Sequence, residues 1–269
     1  MNIRETALCG LPVTNCEIID AHVHFGYYNS CYVMDVGPEQ VIAEMDRLGI
    51  DKVCVSSLGA LSSRAAPANA GLAEIIDRYP DRVLGYIFAN PNNPREMKAE
   101  IRKYARRKGF IGIKLHPREH GYPLTGELYN HVWEAALEHN LAVLVHTVSY
   151  EPLNPVVAYF DILPRFPELT LFIGHSGLTY EGYEQCYKLV EKYENVYMEL
   201  CGSVYESDKW IEDVAAQTNP GRLIFGTDQI FLNPAVNLSR IALSQLDDDI
   251  KKDILGANIR RALERLGRL

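Results

Sequence analysis

The sequence lacks any apolar run long enough to span a membrane. A membrane-spanning helix needs roughly 18 or more apolar residues in succession, and the longest apolar runs here have the length of a β-strand. The N-terminus also lacks the basic and then apolar pattern of a secretory signal. We therefore expect a cytoplasmic protein with no membrane partner.

Positive charge is also scarce, and no cysteines form a paired motif. The chain has 27 Lys and Arg residues against 35 Asp and Glu residues, for a formal net charge of -8. An acidic surface repels phosphate backbones and anionic lipid, so we do not expect nucleic acid as a partner. None of the six cysteines belongs to a Cys-x-x-Cys pair, which predicts reduced thiols.

No stretch rich in Gly, Ser or Pro divides the 269 residues in the manner of a linker. Barrels of parallel strands routinely use about 200 to 250 residues or more as one domain. We therefore predict a single domain over residues 1–269. A homodimer is the default expectation for its assembly, because twofold dimers are the commonest symmetric oligomers.

Short apolar segments with the length of buried strands recur eight times. They cover residues 16–24, 52–57, 82–89, 109–116, 141–147, 169–175, 195–200 and 222–228. Amphipathic segments of helical period lie between them, such as residues 38–48, 68–79, 94–108, 127–139 and 181–193. This alternation predicts an α/β protein with a (β/α)8 TIM barrel, and a doubly wound open sheet is the alternative.

Polar residues occupy every second position at the end of the first predicted strand. Alternation places Asp20, His22 and His24 on one face, which we expect to point into the barrel. The apolar residues between and before them then share the face toward the outer helices: Ile19, Ala21 and Val23.

Later strands also end in polar residues. These are Lys114, His116, His146, His175, Glu199 and Asp228. Because barrel enzymes place their chemistry at the mouth where the strands end, we expect these side chains to lie near one another. Buried histidine and aspartate are costly without partners, and imidazole and carboxylate groups are the donors that a divalent ion of borderline softness prefers. The pattern therefore predicts a metal site.

Other arrangements of these residues explain less. A Ser-His-Asp triad lacks the Gly-x-Ser-x-Gly elbow, and the side chains of the adjacent His175 and Ser176 would diverge on an extended strand. We expect His131 and His139, which lie on a predicted helix, to have no ligand role. The role of His120, in the loop after the fourth strand, is open.

Several motifs carry a family resemblance over nearly the whole chain. They are Ile-Asp-Ala-His-Val-His at 19–24, Tyr-Pro-Asp-Arg-Val-Leu-Gly at 79–85, Gly-Ile-Lys-Leu-His-Pro at 112–117, the strand ends at His146, His175 and Asp228, and Ile-Leu-Gly-Ala-Asn-Ile-Arg-Arg-Ala-Leu at 254–263. The chain resembles the amidohydrolase superfamily, in the branch similar to aminocarboxymuconate semialdehyde decarboxylase and its hydrolase relatives.

The resemblance implies one divalent ion, zinc or alternatively manganese. The residues that match the metal ligands of that branch are His22, His24, His146 and Asp228. His175 matches the residue that orients or deprotonates the bound water. Lys114 leaves a binuclear site open, because other superfamily members use a carboxylated lysine there as a bridge. DNase-like members have glutamate at that position, which this sequence lacks.

These residues predict a metal-dependent hydrolase that acts on an amide, lactone or ester bond of a small polar substrate. A bound divalent ion lowers the pKa of its water from about 15.7 to roughly 7, which supplies hydroxide at neutral pH. His175 and Asp228 are the expected catalytic groups for proton movement. Lys114 and His116 are the expected substrate-binding groups that stabilise charge on a carbonyl oxygen.

Two alternatives remain. One is a nonoxidative, metal-dependent decarboxylase of an unsaturated or aromatic carboxylic acid. Candidates for binding its substrate carboxylate are Arg64, Lys114, Arg118 and His120, and the aromatic loop 25–35, with Tyr27, Tyr28 and Tyr32, could form a substrate wall. The other alternative, from a different class, is a noncatalytic barrel that binds a metal or a ligand.

Overall fold

Eight parallel strands form the centre of the computed structural model, which describes residues 1–28, 37–62, 65–202 and 209–269. The strands are β1 (Ile19–Phe25), β2 (Lys52–Ser57), β3 (Val83–Phe88), β4 (Phe110–Leu115), β5 (Ala142–Val148), β6 (Leu171–Gly177), β7 (Val196–Glu199) and β8 (Leu223–Ile224). Each strand pairs with the next in sequence order. A bridge between Val23 and Gln229 joins β1 to the segment after β8. The predicted (β/α)8 barrel is confirmed, and the open-sheet alternative is wrong.

Helices alternate with the strands. They are α1 (Ile3–Leu8), α2 (Pro38–Leu48), α3 (Gly59–Ser62), α4 (Ala65–Arg78), α5 (Pro94–Tyr104), α6 (Pro117–His120), α7 (Asn130–Glu138), α8 (Tyr159–Ile162), α9 (Tyr180–Lys192), α10 (Trp210–Gln217), α11 (Pro234–Ala242), α12 (Asp248–Lys252) and α13 (Asn258–Arg265). Pro38 and Pro94 each occupy the first position of a helix, where a missing N–H is harmless. Gly49 ends α2 with φ 83°, and a Cβ there would lie 2.3 Å from the carbonyl oxygen of Val13. Only glycine fits that turn.

Most of the described buried apolar residues form two layers, and a smaller third cluster includes Leu58, Leu61 and Phe88. The first lies inside the barrel and draws on all eight strands and on α13: Ile19, Ala21, Cys54, Leu84, Tyr86, Ile111, Ala142, Leu144, Phe172, Tyr197, Ile224, Ile259, Ala262 and Leu263. The second lies between strands and helices and includes Val53, Ile113 and Met198 with Met45, Ile76 and Trp133. Because α13 packs against the first layer, it covers the end of the barrel where the strands begin. The other end is left for polar groups.

Strand β1 does not follow simple alternation. Its pairing with β2 shifts register between Asp20 and Val23. Ile19 and Ala21 belong to the interior layer, whereas Val23 belongs to the outer layer. The prediction that these three residues share a face is therefore wrong, because the irregularity reverses the alternation within the strand. The carboxylate of Asp20 is bound by Thr227 rather than directed to the mouth with the histidines.

Within the part of the chain that the structure describes, no helix has both the length and the apolar character needed to cross a membrane.

Candidate metal centre

His22, His24 and Asp228 meet where β1 ends beside the segment that follows β8. Nε2 of His24 lies 3.0 Å from Oδ1 of Asp228, and Nε2 of His22 lies 3.6 Å from the same oxygen. One ligand atom of each residue lies within 4.8 Å of the others. Two imidazole nitrogens and a carboxylate oxygen at these separations fit a divalent ion of borderline softness. Three of the four predicted ligands are thus together.

The backbone bends into unusual conformations to present these groups. Asp228 has φ 55°, His175 has φ 60° and Ser176 has φ 49°. Left-handed backbone at residues other than glycine costs of order 1–3 kcal/mol and concentrates at functional sites. The N–H of Asp228 donates to the carbonyl oxygen of His22 at 2.8 Å, which fixes the aspartate beside the histidine pair.

The ring of His175 separates His146 from His22 and the other candidate ligands. Its Nδ1 is 2.9 Å from Nε2 of His175, and the His175 ring centroid is 5.1 Å from that of His22. His146 extends the interior row of β5, after Ala142 and Leu144. It is absent from both sets of metal-competent side chains found among the described residues. Its place as the fourth ligand stays a prediction.

His175, the predicted proton-transfer residue, is buried beside this group. Its backbone N–H donates to Oε2 of Glu199 at 3.0 Å, and its Nδ1 lies 3.2 Å from Sγ of Cys201. Burial and then the neighbouring His146 lower the pKa of His175 to about 4. The imidazole is therefore neutral at pH 7 and has one nitrogen that can accept a proton.

Lys114 reaches the same place from β4. Its Nζ lies 2.6 Å from Nε2 of His22, and the side chain is buried. Burial lowers the pKa of Lys114 to about 8, although Asp228 opposes the shift. Among the described residues, no carboxylate oxygen lies within 4.0 Å of this amine. Within these described ranges the amine is held against the candidate metal ligands with no carboxylate at ion-pair distance.

His116, the other predicted substrate-binding residue, stacks on His146 with ring centroids 4.0 Å apart and planes 15° apart. Its Nδ1 also accepts the N–H of Glu119 at the start of α6. Nearby, Nη1 of Arg118 donates to Oε1 of Glu151 at 2.8 Å. The other oxygen of Glu151 is 3.7 Å from Nε2 of His146. Arg118 therefore already has a carboxylate partner.

Aromatic side chains line one side of the site. The Phe231 ring meets His24 edge-on, with centroids 5.5 Å apart, and Tyr28 in turn packs against Phe231 at 5.9 Å. The Tyr28 hydroxyl donates to Oε2 of Glu119 at 2.5 Å. The predicted wall is thus supported by Tyr28, whereas Tyr27 is exposed. Tyr32 and the remainder of that loop, like Arg64, lie outside the described residues.

The remaining histidines lie apart from the metal-competent group. His120 is buried, with Nε2 3.3 Å from the carbonyl oxygen of Ala60 and its ring against Phe88. His131 lies on α7 and His139 directly follows it. Neither belongs to a metal-competent set among the described residues.

Two residues at and just after the end of β7 were not among the predicted site residues, although Glu199 was one of the polar strand ends noted in the sequence. Oε2 of Glu199 lies 3.0 Å from Nδ1 of His22, and Sγ of Cys201 lies 3.1 Å from the same oxygen. With His22 and His175, these two residues form the second set of side chains that could hold a metal ion. The sequence signal was present, because Tyr197, Glu199 and Cys201 occupy every second position and Tyr197 faces the barrel interior.

The family model described as amidohydrolase matches residues 19–265. The chain belongs to the amidohydrolase family. The match begins at the strand of His22 and extends through α13, so it includes every candidate site residue described above. No curated protein matches the sequence.

Solved structures with the same fold include several decarboxylases. A dihydroxybenzoic acid decarboxylase from Polaromonas, with bound manganese and the inhibitor 2-nitroresorcinol, matches with a TM-score of 0.76 and 17% identity over 94% of this chain and 98% of the other. The 2,6-dihydroxybenzoate decarboxylase from Rhizobium matches with a TM-score of 0.74 and 16% identity over 93% and 99%. The 5-carboxyvanillate decarboxylase from Novosphingobium aromaticivorans, a complex with manganese and 4-hydroxy-3-methoxy-5-nitrobenzoic acid, gives 0.73 and 18% over 93% and 97%. At these identities the likeness establishes the fold.

Proposed function

We propose that this amidohydrolase is a metal-dependent, nonoxidative decarboxylase of an aromatic or unsaturated carboxylic acid. The three solved structures named above support decarboxylation better than hydrolysis, because all three are decarboxylases. Fold alone does not carry a reaction. The proposal therefore depends on what the site itself offers to a carboxylate substrate.

The observation that carries the proposal is the buried amine of Lys114. It lies 2.6 Å from Nε2 of His22, no described carboxylate oxygen lies within 4.0 Å of it, and the charge of Asp228 offsets its burial only in part. A buried cation without a counter-charge is costly, and a substrate carboxylate beside the metal ligands would supply that charge. The Phe231 ring next to His24 provides an apolar surface for the unsaturated part of such a substrate.

The donors of His22, His24 and Asp228 fit a divalent ion, and we propose His146 as the fourth ligand. When bound there, the ion supplies a positive charge that holds the anionic oxygens of the substrate. We propose manganese or zinc, since the nitrogen and oxygen donors suit both. Manganese has the support of the decarboxylase structures that contain it.

The protein's own groups then have separate roles. Lys114 orients the carboxylate, and Phe231 orients the ring. As the bond between the carboxyl carbon and the adjacent carbon breaks, its electron pair stays on that adjacent carbon and carbon dioxide leaves. The carbon then takes one proton. We assign this transfer to His175, whose neutral ring takes up the proton from water before the bond breaks, with Asp228 as the neighbouring charge that stabilises the protonated ring. The buried position of His175 keeps bulk water away from this exchange.

Hydrolysis of an amide, lactone or ester bond is the second candidate. The description of the matching family as amidohydrolase favours it. The same His175 could remove a proton from water rather than deliver one to carbon. Both candidates use one site, so only the products distinguish them.

The test is product analysis with the metal-free protein and the protein loaded with Mn²⁺ or Zn²⁺. Hydroxybenzoic acids and unsaturated acids are offered in one set, and lactones, amides and esters in another. We expect metal-dependent release of one carbon dioxide per acid consumed, lost in His175→Asn and retained in His131→Asn. Hydrolysis products without carbon dioxide release would overturn the proposal in favour of the second candidate.

A further inference from the structure

One carboxylate oxygen of Glu199 contacts both His22 and His175. Oε2 of Glu199 lies 3.0 Å from Nδ1 of His22, 3.0 Å from the backbone nitrogen of His175 and 3.1 Å from Sγ of Cys201. All four residues are buried. The cluster lies on the Nδ1 side of both rings, whereas Asp228 and Lys114 contact the Nε2 side of His22.

The direction of the His22 hydrogen bond follows from the partners. A backbone N–H can only donate, so Oε2 of Glu199 acts as an acceptor toward His175. When Glu199 is ionised, its Oε2 can only accept, and Nδ1 of His22 then carries the proton that it donates to this oxygen. A neutral imidazole has one N–H only, so Nε2 of His22 keeps its lone pair, which in the metal-free protein contacts Nζ of Lys114 at 2.6 Å. That lone pair faces Asp228 and His24, where a metal ion would lie.

The contacts of Cys201 indicate the tautomer of His175 in the same way. Its thiol lies 3.1 Å from Oε2 of Glu199 and can donate there, while its sulfur lies 3.2 Å from Nδ1 of His175 and can accept from it. Because the thiol hydrogen is directed at Glu199, the sulfur lone pair faces the His175 ring, and Nδ1 of His175 is the donor of that pair. Nε2 of His175 is left unprotonated toward His146.

At two positions next to this cluster, the backbone lies too close to Glu199 or His175 for any side chain to fit. A Cβ at residue 226 would lie 2.0 Å from Oε1 of Glu199, and a Cβ at residue 202 would lie 2.6 Å from Nδ1 of His175. Both positions are glycine. The approach of Glu199 and Cys201 to the two rings therefore depends on glycines at two separate strand ends.

We propose that Glu199 and Cys201 are positioning residues that fix the Nδ1–H tautomers of His22 and His175, so that Nε2 of each ring is unprotonated on the side of the metal site. The inference rests on the proposed function only in that the site holds a metal ion. Carboxylates that orient histidine ligands from behind typically contribute 10- to 100-fold to metal affinity or activity. Neither residue contacts the substrate in this account.

The direct test is the tautomer of each ring in the metal-free protein, read from the histidine nitrogen resonances by NMR. We expect Nδ1–H for His22 and His175 in the wild type. Cys201→Ala should release the constraint on His175, and Cys201→Ser should restore it because a hydroxyl can also donate and accept. Cys186→Ala is the matched control, since Cys186 is buried but its thiol contacts Ser176 instead. An Nε2–H tautomer for either ring in the wild type would overturn the proposal.

Chelator competition with Co²⁺ gives a second measurement that needs no substrate. Glu199→Gln should weaken binding about 10- to 100-fold, whereas Glu100→Gln, at another buried glutamate that binds Asn69, should leave binding unchanged. Equal affinity in wild type and Glu199→Gln would contradict the proposal. So would a second Co²⁺ per chain that disappears in Cys201→Ser, because the cluster would then be a metal site of its own. If tautomers and affinities behave as expected but no carbon dioxide is released, only the proposed reaction fails.

Discussion

The carboxylate of Asp20 accepts two hydrogen bonds from Thr227, one from its backbone N–H at 3.1 Å and one from its hydroxyl at 2.6 Å. Asp20 lies on β1 and Thr227 lies after β8, so the pair joins the first strand to the last. The next residue after Thr227 is Asp228, whose N–H donates to the carbonyl oxygen of His22. The closure of the barrel and the geometry of the metal centre therefore depend on the same contact.

Replacing the hydroxyl tests this closure. Thr227→Val keeps the shape and the backbone N–H but leaves the buried carboxylate of Asp20 without its hydroxyl donor. We expect the free energy of unfolding to fall by about 1–3 kcal/mol, measured by urea denaturation. Thr125→Val is the matched control, because Thr125 is exposed. Equal losses in the two variants would show that the contact with Asp20 contributes nothing.

Removing the amine of Lys114 tests its assignment to the substrate carboxylate. Lys114→Met keeps much of the buried volume and should raise KM for the acid about 10- to 100-fold, the loss expected for a charge-assisted hydrogen bond. The control is Lys251→Met, at another buried lysine, whose amine donates to the carbonyl oxygen of Ala242. An unchanged KM in Lys114→Met would exclude this role.

His175 separates metal binding from chemistry. His175→Asn should keep the metal, because His22, His24 and Asp228 remain, while kcat falls about 10²- to 10⁴-fold with the loss of the acid–base group. Metal analysis and turnover are measured on the same preparation. Turnover equal to that of the wild type would remove His175 from the mechanism.

The burial of His120 predicts that the free energy of unfolding depends on pH. Burial lowers its pKa from the ordinary value of 6.5. Below that value the unfolded chain binds a proton that the folded protein does not, so stability falls as the pH drops. The wild type should therefore lose more stability than His120→Gln between about pH 7 and pH 5. A constant difference between their free energies of unfolding over this range would contradict the assignment.

Strand positions and strand-end chemistry could be predicted from the sequence because both depend on local patterns. The apolar segment at 110–115 and its polar end at Lys114 are examples. The fold class followed from their alternation with amphipathic helices. The face of Ile19 and Ala21 could not be predicted, because a register irregularity in β1 depends on its pairing with β2.

The contacts that the site residues make with one another could likewise not be predicted from the sequence. Glu199 and His22 are separated by 177 positions, and Asp20 and Thr227 by 207. Only the closed barrel brings such residues together. The strand-end histidines were identifiable because their residue type is unusual at interior positions. The residue type of Cys201 gave no such signal, since cysteine is an ordinary buried residue. Its alternation with Tyr197 and Glu199 was the signal that could have placed it at the site.

The central claim, that His22, His24 and Asp228 hold a divalent ion at the barrel mouth, is tested most directly by metal analysis of the purified protein. The measurement compares wild type with His22→Ala, Asp228→Ala and the matched His131→Ala by inductively coupled plasma mass spectrometry. We expect about one manganese or zinc per chain in wild type and His131→Ala, and none in the other two. No bound metal in wild type after reconstitution with Mn²⁺, Zn²⁺ and Co²⁺, or equal metal in all four proteins, would contradict the claim.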